Sequence, residues 1–230
     1  MKEKPKIEIL TVDFYEVDMG WLYYKLIIGK QIFDNRFTTT FDPLPDFKHW
    51  LEAISIGVQQ TSFGYDNEGD HIKFNFERVY WDRETLTIYK NERVLIKANI
   101  DRQQIVKAFY LGLLTFASSD KFKPEEWETV YLKERLCKTL KVDEENLIKQ
   151  LLEFDKKELE ELLFNHYSYS DATEGKSTIP NEYNAWTNDK KRDFIIKLIN
   201  EATVYEYDGM KISDFRSSII EKYLNLEIHI

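Results

Sequence analysis

The chain has 230 residues, of which 43% are hydrophobic, 32% charged and 15% aromatic, with eight Gly and five Pro; this balance excludes a disordered, collagenous or membrane-spanning polypeptide. Its 41 acidic and 32 basic side chains leave a formal charge of −9, spread over residues 1–100 (16 acidic, 13 basic) and 101–230 (25 acidic, 19 basic). Nucleic acid and anionic membranes are poor partners for such a chain, because both require a basic stripe.

A chain of this length makes one large domain or two small ones. Cys137 is the only cysteine, so no intramolecular disulfide forms. Met1 to Lys6 runs straight into an alternating pattern without the apolar segment of a secretory leader, and the expected address is the reducing cytoplasm. The longest apolar run, Ala108 to Ala117, falls well short of the ~20 residues that cross a bilayer.

In chain order, residues 6–41 read as strands. Leu10, Val12 and Phe14, then Leu22, Tyr24, Leu26 and Ile28, place apolar side chains at every second position, with turns at Met19-Gly20 and Gly29-Lys30. A helix follows: Asp42 caps it, Pro43 and Pro45 fall in its first turn, and Leu44, Phe47, Trp50, Leu51 and Ile54 share an apolar stripe. Asp46, His49 and Glu52 take the other side and are expected to be solvated. A second strand group comprises Thr61–Tyr65, then Ile72, Phe74 and Phe76, then Leu86 and Ile88, then Val94, Ile96, Ala98 and Ile100. Hairpin loops at Asp66–Asp70 and Lys90–Arg93 separate its members. The prediction is one antiparallel sheet of six or seven strands with a helix on one face.

Past residue 100 the period becomes helical. Asp101 with Gln104 forms a capping box ahead of Ile105, Phe109, Leu113 and Phe116. Further helices are expected from Pro124 (Trp127, Tyr131, Leu136, Leu140), from Asp143 (Leu147, Leu151), from the Asp155/Glu158 box, and from Asn188 (Phe194, Leu198, Ala202). A short strand pair around Asp208-Gly209, a helix from Ser213 and a last strand at Leu226–Ile230 complete the reading. The fold class is therefore α+β: a β-rich region over 1–100 and a helical region over 101–230 packed on it as one continuous unit.

No spacing encodes a recognisable reaction. Asp46, His49 and Glu52 lie at i, i+3 and i+6, and only two of the three reach one ion. In Asp66–Asp70, which precedes His71, Gly69 stands at position 4 rather than 6 of a calcium loop, and strands flank it. Gly175-Lys176-Ser177 lacks the glycine, strand and helix of a phosphate loop. Cys137 sits mid-helix with no activating neighbour, and His166 and His229 lack sequence partners. Lys190-Lys191-Arg192, between Asp189 and Asp193, reads as a solvated helix start. No catalytic residue, metal or cofactor is assigned. The one stretch without apolar periodicity is His166–Trp186, where Tyr167, Tyr169, Tyr183 and Trp186 alternate with Ser and Asn as they do in binding loops.

The segment from Phe41 to Ile54, with the strand around Trp21 before it and Asp66–Gly69 after it, resembles a group of uncharacterised bacterial proteins that share an Asp-Pro-Leu-Pro-Asp helix start. The similarity covers residues 1–115 and is carried by a structural motif. Some small acidic α+β proteins of this look are antitoxin-like partners of secreted toxins, so the resemblance implies an immunity-like role. The expectation is a cytoplasmic protein-binding module that engages a basic protein through Tyr167, Tyr169, Tyr183 and Trp186. The competing class is an enzyme with a cleft between sheet and helices.

Overall fold

The computed structural model describes residues 6–78, 84–127, 144–164, 179–200, 206–207 and 210–211. Its contacts group the chain into two compact units, residues 1–141 and 142–230.

In the first unit, β1 (Leu10–Asp18), β2 (Trp21–Ile28) and β3 (Gln31–Thr38) form one antiparallel sheet in the order β1-β2-β3. A second sheet holds β4 (Gln60–Asp66), β5 (His71–Arg78), β6 (Glu84–Lys90) and β7 (Arg93–Asn99) in the order β4-β5-β6-β7. The single sheet expected from the sequence is thus two, of three and four strands. Tight turns explain the pairing inside each sheet: Met19 and Gly20 both have positive φ, as do Asn91 and Glu92, and such two-residue turns match the strand twist. Between β3 and β4 there is no tight turn. Instead the chain makes a short 3-10 turn, Thr39–Phe41, and then α1 (Leu44–Ser55), and this excursion separates the two ladders.

The cap position of α1 is Pro43, one residue later than expected, and it makes no side-chain cap bond; Asp42, just before it, accepts the Leu44 N–H at 3.1 Å, and Pro45 falls in the first turn. The apolar stripe of α1 is buried as expected, but Glu52 is not solvated: it is 1% exposed, with His49 Nδ1 3.4 Å from its Oε2. Its burial follows from position, because α1 packs against β4 and also against α2 (Arg102–Ala117), which covers more of the helix than one stripe. Of the box predicted at the start of α2 only one half forms: Gln104 N–H donates to the Asp101 carboxylate at 3.1 Å, while the Gln104 side-chain oxygen does not return the bond. Glu84 adds a second tie, accepting Arg102 N–H at 2.6 Å. Burial raises the Glu84 pKa despite the guanidinium groups of Arg78 and Arg102 beside it.

Strands and helices of this unit close on one core. Inward residues of both sheets meet at Phe37, whose ring lies 4.8 Å from Tyr24, 4.8 Å from Tyr65 and 5.5 Å from Phe47. Trp127, predicted on a helix from Pro124, joins the same core. In β7 the alternation breaks: a register shift opposite Ile88/Tyr89 leaves both Val94 and Leu95 exposed, so Val94 does not take the inward place its spacing suggests.

Tyr24 and Tyr65, one from each sheet, share a hydrogen bond between their hydroxyls inside this core. Burial holds both phenols well above the ordinary tyrosine range. Replacing either residue with Phe leaves the other hydroxyl buried without its partner, at a cost of about 1–3 kcal/mol. Removing both hydroxyls is expected to cost less than the two single changes summed. Urea denaturation of the three variants measures this, and additive losses would show that the pair is not coupled.

The second unit contains α3 (Glu144–Leu152), α4 (Lys156–Phe164), a 3-10 turn at Tyr183–Ala185, α5 (Asn188–Asn200) and the two-residue strands β8 (Glu206–Tyr207) and β9 (Met210–Lys211). The Asp155/Glu158 box is reciprocal, with bonds of 2.8 and 2.9 Å. At the start of α5 the hydroxyl of Thr187, one residue before the predicted cap Asn188, accepts the Lys190 N–H at 3.4 Å. α3 packs on α5, where Leu147, Ile148 and Leu151 are buried along with Ile195, Leu198 and Ile199, and Arg192 grips Glu145 at 2.7 and 3.0 Å. The predicted helix from Ser213, the strand at Leu226–Ile230, Cys137, His166 and His229 lie outside the described residues, as do the predicted helical positions Tyr131, Leu136 and Leu140.

Candidate functional site

Of the four aromatic residues singled out in the sequence, Tyr167 and Tyr169 lie outside the described residues. Tyr183 is 0% exposed, so its ring serves packing: it lies 5.6 Å from Trp186 and 5.9 Å from Phe194. Trp186 is half-buried, with Lys190 Nζ 4.0 Å above its ring. The loop bearing both is tied to α4 through Lys156, whose N–H donates to Asn184 at 2.8 Å.

In the acidic hairpin Asp66–Asp70, Glu68 and Asp70 turn their oxygens toward protein donors. Glu68 accepts from Thr38 and Thr40, and Asp70 meets Lys90 at 2.6 Å and Asn91 at 2.8 Å, which lowers the Asp70 pKa. His49 and Glu52 form a pair on α1, to which Asp46 adds nothing within bonding distance among the described residues. No three His, Cys, Asp or Glu side chains converge to hold a metal ion among the described residues.

A more concentrated arrangement occurs on the outer face of the three-stranded sheet. Strands alternate sides, so burying Leu22, Tyr24, Leu26 and Ile28 turns Trp21, Tyr23, Lys25 and Ile27 of β2 outward. The register sets Glu16, Tyr23 and Arg36 in one row, Asp13, Lys25 and Asp34 in the next, and Thr11, Ile27 and Ile32 in a third. Ile9 and Ile32 are 71% and 65% exposed, forming an apolar end to the face with Ile27. Solvated sheet faces are ordinarily polar, whereas this one mixes its charged side chains with Tyr15, Trp21, Tyr23 and three isoleucines.

Side chains of the face are held in place. Tyr15 donates to Asp34 Oδ1 at 2.8 Å, Lys25 meets Asp34 Oδ2 at 3.4 Å, and Tyr15 lies 6.0 Å from Tyr23, so all three strands are linked. Partial burial and the Asp34 carboxylate push the Tyr15 pKa up to about 12, so the phenol stays a neutral donor. Arg36 lies flat on Trp21, its guanidinium carbon 3.6 Å from the ring centre. Four aromatic or arginine side chains are thereby presented in fixed geometry.

Beside this face runs a trough of 520 Å³ between β1 and α2. Its floor is the contact of Gly112 with the Val12 carbonyl, and Tyr15 stands at the junction of trough and sheet face. Sequence reasoning missed the face because it followed only the inward set of β2. The available signal was that the outward set, Trp21, Tyr23, Lys25 and Ile27, is nearly as apolar, and a strand with two apolar faces has two surfaces to cover.

The first unit therefore belongs to the antiparallel α+β class, with an aromatic sheet face on its exterior. No family model, curated protein or solved structure matches the chain. No helix among the described residues is long and apolar enough to cross a membrane.

Proposed function

We propose that the protein is a binding module that engages another protein, of basic character, through the outer face of β1, β2 and β3. One observation carries the reading: Trp21, Tyr15, Tyr23 and Arg36 stand together in a fixed array next to exposed Ile9, Ile27 and Ile32. Trp, Tyr and Arg are the residues that dominate binding energy at protein interfaces, and a preset array loses little entropy on docking. Asp13, Glu16, Asp18 and Asp34 surround the array, and the chain as a whole carries −9, so a basic partner is steered toward it and others are discouraged. An immunity-like role, in which the module occludes a basic toxin, fits this chemistry.

Photo-crosslinking residues placed at Ile32 and Tyr23, in the cells that make the protein, are expected to capture the same basic protein. A crosslinker at Glu92, on the β6–β7 turn, should not capture it. Ile32→Glu should abolish the adduct formed through Tyr23 while changing stability by no more than about 0.5 kcal/mol, since the side chain is exposed. Absence of any adduct, or equal capture from Glu92, refutes the reading.

A further inference from the structure

Carboxylates and cations share the outer face of β1, β2 and β3, and they are not mixed evenly. Asp13, Glu16 and Asp18 stand on β1, whereas the cations stand on the other two strands, Lys25 on β2 and Arg36 on β3. Asp34 of β3 is engaged within the face, its Oδ1 accepting from Tyr15 at 2.8 Å and its Oδ2 meeting Lys25 at 3.4 Å. Glu68, which reaches the end of the same strand, bonds Thr38 and Thr40 instead. Arg36 is thus left without a carboxylate: half-buried in an acidic protein, its guanidinium makes no ion pair or hydrogen bond among the described residues. The side chain is nonetheless held. Its guanidinium carbon lies 3.6 Å from the centre of the Trp21 ring, and its backbone is fixed from behind, because Asn35 Oδ1 accepts both the Arg36 N–H and the Asn67 side-chain N–H at 2.7 Å. These ties set Arg36 apart from the fully exposed charges of the unit, such as Asp18, Lys73 and Lys97. A guanidinium stacked on a ring keeps its N–H edge open, and that planar fork of donors matches the two oxygens of a carboxylate.

We infer that Arg36 receives the carboxylate of an Asp or Glu side chain on the protein that covers this face, an assignment that rests on the partner-binding reading above. The contact fixes the partner's orientation. Cations of the partner lie over Asp13, Glu16 and Asp18 on β1, and its carboxylate lies over Arg36 on β3, two strands and roughly 10 Å away. A partner turned end for end would set its cations against Lys25 and Arg36, and such a like-charge arrangement is rejected. Arginine on a tryptophan ring also loses little freedom when it docks, which is why residues of these two types dominate binding energy at interfaces.

The test titrates the protein captured through Ile32 and Tyr23, once purified, with the whole chain and its variants by calorimetry. Bulk charge and the assigned contact predict opposite signs. Removing a cation makes the face more acidic and strengthens its attraction for a basic protein, whereas removing a carboxylate receptor weakens binding. Arg36→Gln is expected to weaken it about tenfold or more, the effect of losing hydrogen bonds between charged groups. Arg36→Lys, which keeps the charge without the planar fork, should weaken it as well. Lys73→Gln, which removes the same charge from β5 on the other sheet, should not. When the Asp and Glu residues of the captured protein are replaced one at a time by Asn or Gln, one of them should couple to Arg36→Gln, the double variant losing less than the two single changes combined. Tighter or unchanged binding by Arg36→Gln, native affinity in Arg36→Lys, or the absence of a coupled carboxylate would overturn the assignment. Circular dichroism of each variant separates a lost contact from a lost fold. Native binding with an unaffected Arg36→Gln removes only this contact; no binding by the native chain removes the partner reading itself.

Discussion

Replacing Phe37 with Ala is expected to cost about 4 kcal/mol, the middle of the range for deleting a buried aromatic ring. Phe37 is 1% exposed and stands where the two sheets and α1 meet. Its ring neighbours are Phe14 and Tyr24 from the three-stranded sheet, Phe63 and Tyr65 from the four-stranded sheet, and Phe47 from α1. Among the described residues no strand of one sheet pairs with a strand of the other, so side-chain packing of this kind is a main link between them, beside a few bonds at their ends such as Glu8 N–H to the Asn99 carbonyl at 2.8 Å and Asn67 to Asn35 at 2.7 Å. A domain of ordinary stability has about 5–15 kcal/mol in total, so the variant should melt far below the parent. Phe37→Leu, which retains most of the volume, is expected to lose much less. Thermal and urea denaturation followed by tryptophan fluorescence measure both, and a loss below about 1 kcal/mol for Phe37→Ala would mean the sheets are joined elsewhere.

Gly112→Val is expected to be the second most damaging change, at about 3 kcal/mol or more. Gly112 lies inside α2, where glycine is about 1 kcal/mol worse than alanine, so propensity alone argues for replacing it. Packing argues the reverse. A Cβ at this position would stand 2.7 Å from the Val12 carbonyl oxygen and 3.3 Å from Val12 Cγ1. The obstacle is backbone, which cannot rotate aside, and α2 would have to lift off β1. Gly112→Ala therefore sets a helix-propensity gain against a steric loss, and the loss is expected to win by about 1–2 kcal/mol. A more stable Gly112→Ala protein would show that α2 lies farther from β1 than described.

Local pattern was legible wherever one physical rule acted alone. Leu22, Tyr24, Leu26 and Ile28 are inward because a strand alternates sides, and Asp101/Gln104 and Asp155/Glu158 start helices because a cap satisfies free N–H groups. Where two rules competed, sequence reading failed. Glu52 sits on the polar arc of α1, yet the helix is enclosed from more than one side. Val94 fits the alternation of β7, yet a bulge turns it out. Tyr183 has the composition of a contact residue, yet it packs inside its own unit.

The amino-acid order by itself determined the strand and helix segments, the antiparallel hairpins, the helix caps and the acidic charge, since each depends on neighbours only a few positions away. Division of the strands into two sheets, burial of Glu52, the close approach of Gly112 to Val12, and the assembly of Tyr15, Trp21, Tyr23, Arg36 and Ile32 on one face were decided by tertiary structure. Each of these depends on which strand edges and helix faces meet across long stretches of chain. That choice is made by packing the whole core, and no window of sequence contains it.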